Sequence, residues 1–128
     1  MGNIKNTIKK VKTMITIERS YIILDREGNQ VSCLVRFADK LYINPCNIQK
    51  RLSRALFGDI YENGEIDFRA VVGFQKTFLL PYIKMFLKDG TVITFNIFQK
   101  RELIDLVTKY REEMYASTGE QATPLFIK

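Results

Sequence analysis

Between Ile15 and Phe98 the large apolar residues recur mostly at every second position, and beyond Gln99 they recur at every third or fourth. A period of two belongs to strands that turn one face to a core, and a period near 3.6 to a helix with one apolar stripe. The switch points to an α+β chain, mainly β, in which one amphipathic helix closes a sheet. The chain has 128 residues, enough for one domain with its own core and with little room for two.

Residues 14–24 alternate around Ile15, Ile17, Tyr21 and Ile23 and predict a strand. Glu27-Gly28-Asn29 supplies a turn, and residues 31–37 return with Cys33, Val35 and Phe37 on one face. After Ala38-Asp39-Lys40, residues 41–44 add a third strand that stops at Pro45. Residues 47–57 change period: Ile48, Leu52, Ala55 and Leu56 follow a helical spacing between the N-cap Asn47 and Gly58. Asn63-Gly64 is a further turn signal. Residues 66–78 then read as one strand through Phe68, Ala70, Val72 and Phe74, with Gly73 as a bulge.

The hairpin of residues 79–88 and 91–98 allows its register to be chosen. A two-residue loop at Asp89-Gly90 would set Lys84 opposite Phe95, on the most apolar face. A three-residue loop, Lys88-Asp89-Gly90, sets Met85 opposite Ile93 and Ile83 opposite Phe95, so both apolar sets point the same way. The pattern therefore predicts a type I turn followed by a bulge, with Gly90 at positive φ. Residues 99–116 form the closing helix, with Leu103, Ile104, Val107, Tyr110 and Met114 along its stripe. Residues 117–128 hold Gly119 and Pro124 and read as a loose tail, whose Leu125-Phe126-Ile127 either docks or binds a neighbour.

Several chemistries are excluded. The chain has no histidine, so it has no Ser-His-Asp or Cys-His nucleophile and no imidazole metal ligand. Cys33 and Cys46 make no CxxC pair, and two reduced thiols are expected. No GxGxxG, P-loop or HExxH pattern occurs. The acidic residues Asp59, Glu62, Glu65 and Asp67 match no EF-hand spacing and read as a solvated loop. No cofactor and no enzymatic activity are expected. No apolar run approaches the length needed to span a bilayer, and none follows the basic N-terminus as a signal peptide requires. A Gly follows Met1, but Asn6 breaks the myristoylation pattern. The expected location is the cytoplasm, peripheral at the inner membrane face if the chain binds lipid.

The net charge of +6 is concentrated at one end. Residues 1–13 form a basic arm that holds Lys5, Lys9, Lys10 and Lys12 with no acid, and Lys50, Arg51 and Arg54 add a second group. Ile4, Ile8 and Val11 would give the arm one apolar stripe, so it either packs on the body or lies on an anionic partner. On the 79–88 strand Tyr82, Lys84, Phe86 and Lys88 alternate aromatic with cationic side chains. Such a face can stack bases, or can pack beneath another element.

The run Ile66-Asp67-Phe68-Arg69-Ala70-Val71, then Pro81 through Gly90 with its "LKDG" end, then Thr94-Phe95-Asn96-Ile97-Phe98 and the 99–116 helix resembles the bacterial pleckstrin-homology-like and GRAM-like domains. Leu34 through Pro45 resembles their early strand pair, so the likeness covers about residues 31–116. It implies a strongly bent antiparallel sheet, or partly open barrel, plugged by a C-terminal helix over residues 14–116. Two features depart from it: about six strands are countable where that fold has seven, and the 47–57 helix is additional. The first hairpin loop holds Asp25, Arg26 and Glu27 and lacks a phosphoinositide-type basic cluster, so no lipid-headgroup residue follows from the likeness.

The expected function is a non-enzymatic binding or adaptor module that engages a protein partner or an anionic membrane surface. Lys5, Lys9, Lys10, Lys12, Lys50, Arg51 and Arg54 would supply long-range attraction, and Tyr82 and Phe86 specificity. A nucleic-acid-associated protein of a mobile element would use the same residues. Self-association through a sheet edge or the C-terminal tail is a further expectation.

Overall fold

The computed structural model describes residues 15–45 and 64–128. Within them the order is β1 (Ile17–Leu24), β2 (Gln30–Phe37), β3 (Leu41–Pro45), β4 (Glu65–Ile66), β5 (Val71–Lys76), β6 (Tyr82–Leu87), β7 (Val92–Asn96), the helix α1 (Lys100–Thr118) and β8 (Phe126–Ile127). The strands form one sheet in the order β4-β3-β2-β1-β7-β6-β5-β8, not closed into a barrel. The mainly β, helix-capped architecture is thus the one the periodicity predicts. The basic arm of residues 1–13 and the helix expected over 47–57 lie outside the described residues.

Inward alternation builds one core. Cys33, Val35 and Phe37 of β2, Leu41 and Ile43 of β3, Ile83, Met85 and Leu87 of β6, and Ile93 and Phe95 of β7 are all buried with Leu103, Ile104, Val107 and Tyr110 of α1. A flat eight-stranded sheet would be about 34 Å wide at ~4.8 Å per strand. One helix, about 10 Å across, covers such a width only if the sheet curls around it. β1 is where the two halves meet: it pairs along its whole length with β2, but only Ile22, Ile23 and Leu24 pair with β7. Beyond that point Arg19 Nε donates to Glu102 Oε1 of α1 at 2.8 Å, closing the gap between strand and helix.

The hairpin register follows the apolar pattern. Met85 faces Ile93, Ile83 faces Phe95, and Lys84 faces Thr94. Gly90 has φ +90°, its N–H donates to Leu87 O at 3.0 Å, and Leu87 N donates to Thr91 O at 2.9 Å. The same device closes β1 and β2, where Gly28 has φ +84° and donates to Asp25 O, and Asp25 N donates to Asn29 O. There the Asp25 carboxylate also accepts from the backbone N–H groups of Glu27 and Asn29 at 2.9 and 2.8 Å.

The single strand expected over 66–78 is corrected. Asp67 Oδ1 accepts from Arg69 N at 2.9 Å and starts a 3-10 turn over Phe68–Ala70, which separates β4 from β5. A short acid competing locally for backbone N–H groups has this effect. The turn also shifts the phase, so Phe68, Val71 and Phe74 point inward while Ala70 and Val72 are half-buried. Among the described residues this corner brings the number of strands before the helix to seven. The ladder between β5 and β6 slips between Val71 and Gly73, so the extra residue is Val72, next to the glycine where a bulge is expected.

The helix ends two residues later than expected, and of the two alternatives for Leu125-Phe126-Ile127 the docked one is found. α1 runs on to Thr118 and ends at Gly119, which has φ +73°. Phe126 and Ile127 form β8, parallel to β5, with Phe126 beside Gly73. Lys128 N donates to Phe74 O and Lys76 N to Lys128 O, both at 3.0 Å. Gly73 makes this docking possible, because a Cβ there would lie 2.4 Å from the Phe126 ring. Phe126 leans across the glycine to meet Phe86 on β6, with ring centroids 5.5 Å apart. Gly73→Ala is expected to release β8 and leave the sheet intact: amide exchange at Lys128 and Lys76 speeds up by an order of magnitude or more, while exchange at Met85 and Ile93 is unchanged. An equally protected tail would contradict this account.

Candidate functional site

Of the residues expected to meet a partner, Lys5, Lys9, Lys10, Lys12, Lys50, Arg51 and Arg54 lie outside the described residues, and so do Cys46, Asp59 and Glu62. Tyr82 and Phe86 lie on the outer face of β6 and are half-buried. Tyr82 faces Asn96, and the Phe86 ring is engaged by Phe126. Lys84 is exposed between them. Glu65 forms an ion pair with Lys40 at 3.6 Å, and Asp67 one with Arg69 at 2.7 Å. The Arg69 guanidinium holds the Asp67 carboxyl below its ordinary range. These two acids of the cluster serve local structure. No group of acids or thiols that could hold a metal ion occurs among the described residues.

Among the described residues Tyr21 is the one strongly shifted group. Burial, then the nearby Glu102 carboxylate, pushes its hydroxyl up to about 12. Its ring meets Phe95 edge-on at 5.8 Å, so the residue belongs to the packing of the sheet.

A different surface stands out. The loop between β5 and β6 carries Phe78, Leu79 and Leu80 at 87, 83 and 55% exposure, and Phe98, between β7 and α1, is 76% exposed. Hydrogen bonds tie the two segments together. Ile97 N donates to Pro81 O at 2.7 Å. Lys100 Nζ donates to Thr77 O at 2.7 Å and also to Leu80 O. Thr77 Oγ1 reaches Leu80 O and Tyr82 O, and Thr77 N donates to Tyr82 O at 3.2 Å. One end of the sheet therefore displays four large apolar side chains on an internally bonded scaffold. Lys76 at the end of β5 and Lys84 on β6 are exposed beside it, and neither has an ion-pair partner among the described residues.

Sequence reasoning assigned Leu79 and Leu80 to a strand and passed over Phe98. Two signals were present. Phe78-Leu79-Leu80-Pro81 is an unbroken apolar run inside an alternating pattern, and its proline cannot donate to a ladder. Phe98 follows Ile93, Phe95 and Ile97 at an odd offset, which turns it away from the core face.

No protein-family profile matches the chain, and no curated protein matches it. Among solved structures it is similar to Inner Membrane Complex Sub-compartment Protein 3 from Toxoplasma gondii, at 9% sequence identity and a TM-score of 0.49, over 91% of this chain and 86% of that one. No helix among the described residues is long and apolar enough to cross a membrane.

Proposed function

We propose that this chain is a non-enzymatic binding module, built on a pleckstrin-homology-like sheet, that docks on a protein or an anionic membrane surface through one end of that sheet. The supporting observation is the exposed cluster of Phe78, Leu79, Leu80 and Phe98. Single exposed apolar residues are ordinary on a protein surface, whereas a contiguous set marks an interaction site. The basic arm and the 50–54 cations would add attraction toward a negatively charged partner. The base-stacking alternative has less support, because the Phe86 ring that would stack a base already meets Phe126.

The test is a comparison at physiological salt of the full chain and a version lacking residues 1–13. Retention by anionic vesicles or by a protein partner, weakened when the loop is altered and without binding to DNA or RNA, supports the module. Binding to DNA or RNA with no effect of the loop overturns it. Unchanged binding after deletion of residues 1–13 removes the arm from the account.

A further inference from the structure

We infer that Phe78, Leu79, Leu80 and Phe98 form a tip that inserts into the interfacial layer of an anionic bilayer. The inference rests on the binding-module reading and names its ligand.

The first ground is that the fold does not reward the apolar tip. Leu79 is 83% exposed yet has φ +62°, a left-handed conformation that a branched residue adopts at a cost and that Gly or Asn adopts readily. Its side chain therefore gains nothing from the core and strains the backbone. Such positions persist where they serve a site.

The second ground is the loop's backbone. Lipid excludes peptide groups that lack partners, because no water is present there to bond them. Here Lys100 Nζ, the Thr77 hydroxyl and Ile97 N already occupy the carbonyls of Thr77, Leu80, Pro81 and Tyr82. The tip is pre-organised, so insertion orders little new structure.

The third ground is charge. Lys76, two positions before Phe78, and Lys84, two positions after Tyr82, are exposed on the strands that flank the loop, and the Lys100 ammonium is bonded to the loop's own carbonyls. Of the acids in the first turns of α1, Glu102 is paired with Arg19 and Asp105 with Arg101. Phe and Leu at the tip with exposed lysines on both flanking strands is the composition of a segment lying at an anionic lipid interface.

The chain contains no tryptophan, so Phe98→Trp places a single reporter at the tip. Full-length protein is mixed with vesicles of phosphatidylcholine and phosphatidylserine, or of phosphatidylcholine alone, with and without bromine-labelled chains. The expected result is partition to the anionic vesicles, a blue shift of the indole emission and quenching by the brominated lipid. Leu79→Asn lowers the partition about tenfold. It fits the left-handed position and does not lower the unfolding midpoint, so lost partition is not lost folding. Lys76→Gln and Lys84→Gln each lower it about fivefold.

Partition without quenching, unaffected by Leu79→Asn, overturns the tip and leaves a binding module that uses another surface. No partition to anionic vesicles at all also overturns the inference. Loop-dependent binding to a protein in that case leaves the module reading standing, and its absence removes both.

Discussion

Phe68→Ala is expected to lower the unfolding free energy by about 3–5 kcal/mol, seen as a lower urea midpoint at an unchanged m-value. Phe68 is completely buried in the 3-10 turn between β4 and β5. Its ring stacks on Tyr110 of α1 at 5.4 Å and on Phe37 of β2 at 6.3 Å, and those two rings are themselves 5.9 Å apart. The three come from a corner, the helix and the far half of the sheet, so truncation leaves a void that none of the three elements can close alone. Tyr110 is further fixed by donating its hydroxyl to Ile15 O, which limits how far it can relax into the gap. Phe98→Ala is the internal control: with 76% of Phe98 in solvent, the change stays within about 0.5 kcal/mol. A loss below about 1.5 kcal/mol for Phe68→Ala would mean that the helix is not seated on this triad.

What the sequence discloses and what it hides divide along local and non-local physics. The β6–β7 register was legible because Ile83, Met85, Ile93 and Phe95 must share a face, and a one-residue slip would put Lys84 among them. The closing helix was legible because one stripe recurs over several turns. The corner at Asp67 was not, since Phe68, Ala70, Val72 and Phe74 alternate as a strand would. Only the capping bond from Arg69 N to the carboxylate shows that the strand breaks there. β8 was hidden for a different reason. Two residues carry no period, and their pairing depends on Gly73, more than fifty positions away, having no Cβ. The apolar tip was masked by its own composition, because Leu79 and Leu80 read as more strand in front of β6. Phe86, taken from sequence as a specificity residue, meets a tail whose docking the sequence left open.

Arg111 shows how an apparent break in the helical stripe carries structure. It follows Val107 by four positions and sits on the buried face of α1 at 4% exposure, where an aliphatic residue would be expected. Its Nε donates to Val71 O at 3.0 Å, beside the slipped register of β5, and its guanidinium lies 5.0 Å from the Tyr115 ring. Tyr115 in turn donates to Arg69 O. The last turns of α1 thus hold the backbone on both sides of the corner that places Phe68. Two effects oppose each other in Arg111→Met. Removing a charged donor from a buried carbonyl costs about 1.5–3 kcal/mol, and losing the ring contact about 1 kcal/mol more. Removing a desolvated charge with no carboxylate partner among the described residues returns part of that. The thioether refills most of the volume, so cavity formation contributes little. A net loss of about 2 kcal/mol is expected, with faster amide exchange at Gly73 and Phe74 and unchanged exchange at Val35. Arg111→Lys should recover less than half of it, because an ammonium lacks the planar fork that bonds the carbonyl while covering the ring. If Arg111→Met instead stabilises the protein, desolvation outweighs the bond. The corner would then be held by Asp67 and the Phe68 stack, and the arginine would be a cost that the fold carries for another reason.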